Sequence, residues 1–254
     1  MTKYKCERTY IDSNIDRSCK RDRYWKMIGK FLAMTALGSL LLTGCGAKVD
    51  VPDMSSMGTI NVVSREEGSG TKTEFDNLVG TDATGTNTVA ESTDKVISEV
   101  ASDKNAIGYI AYSAENNSGV KALDVDGVAP DAASIEKDKY PLCRDYILVY
   151  NGELSAVAKD FMAYVKSAGQ KSETFLSDKS GGTVEIHGST SAAPIVSKLA
   201  EEYMKINPAA KILVTESDST QGLNDALQGR CDLGMSSRSL QPYESELLTS
   251  YVFG

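Results

Sequence analysis

A two-lobed α/β fold is predicted by three observations. Strand-like apolar runs alternate with amphipathic helical stretches, one strand–loop–helix device occurs three times, and a polar Gly/Ser-rich stretch at residues 171–182 divides the body of the chain. In order, Ile60-Asn61-Val62-Val63 reads as a strand and residues 64–70 as a loop. Residues 71–79 follow as a helix with Phe75, Leu78 and Val79 expected inward. Residues 81–88 are a Gly/Thr/Asn loop, and Thr93-Asp94 opens a helix with Val96, Ile97 and Val100 at helical spacing. Residues 106–110, 120–125 and 146–150 read as strands, and Asp124 with Asp126 as a turn. Residues 155–168 form an amphipathic helix with Val157, Phe161, Tyr164 and Val165 on one side. After the 171–182 stretch, expected to be the crossover between lobes, the pattern repeats. Strand 184–187 leads through Gly188-Ser189-Thr190-Ser191 into helix 193–205, where Ile195, Val196, Leu199, Ala200 and Tyr203 recur at helical spacing. Strand 210–215, loop 216–221, helix 223–228, strand 231–234 and loop 235–239 complete the series.

Composition excludes several classes. Hydrophobic residues at 41% and charged residues at 24% of 254 rule out wholesale disorder and a multi-span membrane protein. Nine Lys/Arg against four Asp/Glu in residues 1–44 leave 18 against 31, a net −13, for residues 45–254. A body that acidic has no general basic field for nucleic acid, so an anion must be held locally by aimed hydrogen bonds.

The long apolar run, Ile28 to Leu42, follows Lys20, Arg21, Arg23 and Lys26, and it is short for a membrane span. It ends in Leu42-Thr43-Gly44-Cys45, which resembles a bacterial lipobox. Residues 1–44 are therefore expected to be a signal peptide, starting more naturally at Met27. Cys45 would become a lipid-bearing (palmitate) N-terminus, and residues 45–58 a linker to a body on the extracytoplasmic face of the cell membrane. Cys143 and Cys231 fit neither a disulfide scaffold nor a zinc spacing; they read as small apolar residues, with a bridge between them open.

The recurrent device carries the chemistry. Arg65-Glu66-Glu67-Gly68-Ser69-Gly70-Thr71, Gly188-Ser189-Thr190-Ser191 and Ser217-Asp218-Ser219-Thr220-Gln221-Gly222 each lie between a strand and a helix. Free N–H groups and the positive dipole end at a helix start favour an anion, and Ser or Thr adds an uncharged donor. An Arg adds a permanently charged fork matched to oxyanions. Any one such loop is more often a simple helix cap; it is the combination that informs. Gly68-Ser69-Gly70-Thr71 lacks the Lys-Ser/Thr end of a nucleotide loop. With His187 as the one His, no Ser-His-Asp site or His-rich metal site is available, and no cofactor or metal is expected. His187 itself reads as a structural strand-end residue. Glu66 and Glu67 read as helix-start charges or as restraints on Arg65.

These residues carry a resemblance. Val63 to Thr71, with Ala106-Ile107-Gly108-Tyr109-Ile110 downstream, resembles the second lobe of periplasmic-type phosphate-binding proteins of ABC transporters. Gly188-Ser189-Thr190-Ser191-Ala192-Ala193-Pro194, Ser219-Thr220-Gln221-Gly222 and Asp232-Leu233-Gly234-Met235-Ser236-Ser237-Arg238 resemble their first lobe. The resemblance implies a hinged, type II periplasmic-binding-protein-like fold. Residues 59–178 would be the second-lobe segment and 179–254 an incomplete first-lobe segment. It also implies inorganic phosphate or a similar tetrahedral oxyanion as ligand, ABC permease subunits as partners, and no catalysis. Carried over residue by residue, it implies Arg65, Ser69, Gly70 and Thr71 from one lobe, and Thr190 and Ser219 from the other, with Ser189 or Ser191 as further candidates.

Three departures accompany it. The segment order is rotated. Ser237-Arg238 stands where the family often has an Asp that accepts a proton from hydrogen phosphate. The sequence ends Tyr251-Val252-Phe253-Gly254 without the strands expected to follow, so a truncated chain with incomplete lobes is expected. Two rivals follow: a surface lipoprotein for adhesion or signalling, or a non-binding remnant, on the same scaffold; and a hydrolase using Ser69 or Ser189, for which no base is in evidence.

Overall fold

The computed structural model describes residues 58–80, 88–117, 119–169 and 175–254. The expected signal peptide, Cys45, most of the linker and the greater part of the 81–88 loop lie outside these residues. Strand β1 (Asn61–Arg65) leads to helix α1 (Gly70–Val79), β2 (Thr88–Ala90), α2 (Thr93–Ser102) and β3 (Ala106–Gly108). A 3-10 turn (Tyr112–Asn117), α3 (Ala132–Glu136), β4 (Ile147–Tyr150) and α4 (Ala156–Gly169) follow. Then come β5 (Gly182–Ser189), α5 (Ala193–Ile206), β6 (Ala210–Ser217), α6 (Ser219–Leu227), β7 (Leu233–Ser236), α7 (Pro242–Leu247) and β8 (Thr249–Val252). The mixed α/β architecture is the predicted one.

Two sheets result. The smaller, order β2-β1-β3, is parallel throughout; the larger, order β6-β5-β7-β4-β8, is parallel across β6, β5 and β7, and antiparallel at β4 and β8. Sheet membership therefore changes between β3 and β4, well before the 171–182 stretch where a crossover was expected. Both faces of the larger sheet are covered, so β4 reads as an unbroken apolar run, Ile147-Leu148-Val149. Leu148 faces a core with Phe161, Val184, Ile186, Val196, Tyr203 and Met235, while Ile147 and Val149 face Leu223, Ala226 and Leu248. The smaller sheet packs Val63 and Ala90 on Val96 of α2.

Buried polar groups in the large core are paired. Asp160 on α4 accepts from Tyr203 Oη at 2.8 Å and Ser177 Oγ at 2.5 Å, and Asn207 Nδ2 donates to Tyr203 Oη at 3.0 Å. Burial above all pushes the Tyr203 phenol up to about 12.

Several expectations are corrected. Residues 120–125 form no strand: Val125 and Val128 make an isolated bridge around Asp126 and Gly127, both at positive φ, so the Asp124–Asp126 turn stands alone. Leu78 and Val79 are 45% and 48% exposed: α1 ends at once on a left-handed Gly80, and no described residue buries its last turn. The 216–221 loop is shorter than expected. Asp218 accepts from Gln221 N at 2.8 Å and starts α6 at Ser219. Strand β7 runs on to Ser236, so the loop expected over 235–239 starts at Ser237, and beyond it the chain builds α7 and β8, with β8 paired to β4. Cys143 and Cys231 are both thiols, not joined by a disulfide, and half-buried; burial, then the nearby Asp225 charge, pushes the Cys231 thiol up to about 12.

Candidate anion-binding site

Each candidate residue sits where a strand ends and a helix begins. Ser69 caps α1, accepting from Lys72 N, and places Gly70 and Thr71 in the first turn. Ser189 ends β5, Thr190 and Ser191 make the turn into α5, and Ser219 is the first residue of α6. Helix α5 is capped at its start by Ala192, a residue with no side chain able to satisfy the first-turn N–H groups.

The helix starts converge. Arg65 is buried; its Nη2 donates to Thr190 Oγ1 at 3.3 Å and its Nη1 to Thr93 Oγ1 at 3.3 Å. Thr71 Oγ1 and Ser191 Oγ are hydrogen-bonded at 2.8 Å, and Thr93 Oγ1 lies 3.2 Å from Ser191 Oγ. Ser191 N donates to Ser189 Oγ, Ser189 Oγ to Ser237 Oγ at 2.9 Å, and Ser237 N to Ser219 Oγ at 3.1 Å. At Gly70 a Cβ would meet Ser219 Oγ at 2.3 Å, so this contact needs a residue without a side chain. Arg65, Thr71, Ser189, Thr190, Ser191 and Ser219 thus join one hydrogen-bonded cluster, with Gly70 against Ser219 and Ser69 holding the α1 turn. All of the cluster's hydroxyls except that of Thr190 are on buried residues.

Arg65 is fixed in place from behind. Its Nε and Nη2 donate to the Glu66 carboxylate at 2.7 and 2.8 Å, a two-point pairing that makes Glu66 the restraint. Its backbone N–H donates to Tyr109 Oη at 3.2 Å; Tyr109 also bonds Ser64 Oγ at 2.8 Å and stacks on Phe75 at 4.1 Å. Glu67 lies 3.3 Å from Lys72 Nζ, away from Arg65.

Two cluster members escaped the sequence reading. Thr93 begins α2 after Ser92, whose hydroxyl accepts from Lys95 N. The strand–Ser/Thr–helix signal was there in Val89-Ala90-Glu91-Ser92-Thr93, but a three-residue strand hid it. Ser237 was seen only as the residue in the family's Asp position. His187 lies outside the cluster, with Nδ1 at 2.9 Å from Asp225 Oδ2. The Asp225 carboxyl is raised by burial but held below the usual range overall by hydrogen bonds from His187, Arg230 and Gln221.

The donor set suits a small oxyanion: one guanidinium, several hydroxyls that can each donate, and the starts of four helices. Ser69 Oγ accepts from Lys72 N, and Ser189 Oγ bonds Ser237 Oγ and Ser191 N. Beside the cluster an open pocket is lined by Ser92, Thr93, Asp94, Thr190, Pro194 and Glu216. Burial, then the Asp94 charge, raises the Glu216 carboxyl.

The model of the PBP superfamily domain matches residues 50–168 and 174–250. The phosphate-binding protein PstS 2 of Streptococcus pneumoniae TIGR4 is 34% identical over 249 residues, covering 87% of this chain and 85% of that protein. PstS 2 of Streptococcus agalactiae 2603 V/R is 33% identical over 245 residues, covering 87% and 82%. An alignment of that extent runs through both motif-bearing segments, so the rotated order is shared with these relatives. The crystal structure of a phosphate ABC transporter phosphate-binding protein from S. pneumoniae TIGR4 superimposes with a TM-score of 0.59 at 34% identity, covering 78% of this chain and 86% of that one.

Proposed function

The chain belongs to the PBP superfamily, among the phosphate-binding proteins of ABC transporters, and on that premise we propose that it captures inorganic phosphate outside the cytoplasm and hands it to an ABC permease. The observation that carries the reading is the pairing of Arg65 with Thr190 across 125 residues of sequence, inside a cluster built from four helix starts. The Arg65 fork binds two anion oxygens. The hydroxyls of Ser69, Thr71, Thr190 and Ser219, with the Gly70 backbone at the α1 start, receive the others, and Ser189 and Ser191 support them. Entry of the anion exchanges the Thr71–Ser191 and Arg65–Thr190 contacts for bonds to its oxygens, which then hold the cluster closed around it. No covalent step is involved. The lipid on Cys45 keeps the protein at the membrane, within reach of the permease.

Calorimetric titration of phosphate into the parent and Arg65→Ala tests the site. Loss of one charge-assisted fork is expected to weaken binding by roughly 100-fold. Equal heats and affinities from the two proteins would remove Arg65 from the site. In a thermal-shift series with phosphate, arsenate, sulfate and molybdate, phosphate is expected to raise Tm most.

A further inference from the structure

We propose that Glu74 is a closure latch: a residue that never touches the anion yet sets how tightly and how long it is held. The inference rests on the phosphate-capture reading for its biological meaning and on independent geometry for its mechanism. Glu74 lies on α1, one turn beyond Gly70 and Thr71, and its Oε1 accepts from the backbone N–H of Ser239 at 2.6 Å, 165 residues away. This is a short, charge-assisted bond.

Both ends of the bond are rigidly coupled to the cluster. On one side, Glu74 rides on the helix whose first turn carries Gly70 and Thr71. On the other, Ser239 ends the turn that carries Ser237. That turn is held by Arg238, whose Nη1 and Nη2 each donate to the Glu244 carboxylate at 2.8 Å and whose Nη1 also donates to Ser239 O at 3.0 Å. Ser236 Oγ bonds both Arg238 O and Arg238 N. Glu244 is fully buried and Arg238 nearly so, so the turn has little freedom to follow Glu74 if α1 withdraws. A second tie lies alongside, where Thr220 N and Oγ1 both donate to Gly68 O, at 3.2 and 3.1 Å.

When α1 approaches Ser219 and Ser237 around an anion, Glu74 meets Ser239; when α1 withdraws, its carboxylate returns to water. The bond exists only in the closed form, and so it raises the closed fraction and with it the apparent affinity. Because it touches no ligand oxygen, it acts equally on every anion the site accepts.

The test uses the full chain and compares the parent with Glu74→Ala and Glu74→Gln. Phosphate affinity is read by calorimetry, release by stopped-flow displacement, and exchange of the Ser239 amide by hydrogen–deuterium exchange without ligand. Glu74→Ala is expected to weaken phosphate about tenfold, mainly through faster release, with the phosphate-to-sulfate affinity ratio unchanged and Ser239 exchange about tenfold faster. Gln, whose amide oxygen still accepts, is expected to recover part of the loss. Unchanged release and unchanged Ser239 exchange in Glu74→Ala would overturn the latch. A parent that binds no phosphate would overturn the capture reading instead, and the latch would then stand or fall on Ser239 exchange alone.

Discussion

Gly70 lies against Ser219 and Ser237 across the hydroxyl cluster, and its missing side chain is what allows the contact. A methyl group there would lie 2.3 Å from Ser219 Oγ and 2.9 Å from Ser219 Cβ. Rotating the hydroxyl away relieves only the first contact, and it removes a donor from the cluster. Gly70→Ala is therefore expected to hold α1 away from α6 and weaken phosphate by about tenfold or more, while Tm without ligand falls little. Calorimetry and thermal denaturation on the same samples check both halves; a parent-like affinity would mean the contact opens at no cost. At this scale the sequence was informative because Arg-x-x-Gly-Ser-Gly-Thr is a dense local pattern. Arg65, Ser69 and Thr71 were each legible, as was Glu66 as a restraint. Thr93 was not, since its claim on the site comes from its position near Arg65 and Ser191, 28 and 98 residues away.

Helix α6 shows how an element is positioned to serve a site. It presses on the large sheet backbone to backbone: a Cβ at Gly222 would meet Gly188 Cα at 2.5 Å and His187 O at 2.6 Å. That closeness brings Ser219, one turn earlier, within reach of Ser237 at the end of β7. Gly222→Ala must push the helix off β5, and overpacking of this kind is expected to cost about 1–3 kcal/mol. Urea denaturation measures the loss, and an unchanged midpoint would show that the helix has slack. Periodicity placed most helices and strands to within a few residues. It failed at β2, too short for a pattern, and at 120–125, where the apolar residues have no strand beside them among the described residues. It also failed at Leu78 and Val79, because helical spacing says which residues share a face and not whether anything covers it.

At the scale of the whole molecule, the buried Arg238–Glu244 pair is expected to contribute to acid stability. Burial by itself would raise the Glu244 carboxyl, but bonds from Arg238 and Gln241 N outweigh it and hold it below the usual range. A depressed carboxyl contributes stability that is complete above its unfolded value, near pH 4.3, and is lost as pH falls through the lower folded value. Glu244→Gln leaves Arg238 buried without its counter-charge, and a loss of about 3–5 kcal/mol at pH 7 is expected. The gap between parent and variant should shrink as pH drops below about 4, where the parent loses the same interaction. Denaturation midpoints from pH 7 to pH 3 read this directly, and a gap that stays constant would assign the loss to packing.

The sequence by itself determined the alternation of strand and helix, the Gly- and hydroxyl-rich make-up of three strand–helix junctions, and the resemblance that joins them, because each is written in residues close together along the chain. Only the tertiary structure decided that β4 and α4 belong with β5 to β8, that a fourth helix start brings Thr93 to Arg65, and that Glu74 reaches Ser239. Those contacts span tens to hundreds of residues, and their distances depend on how helices pack on sheets, which no local pattern encodes.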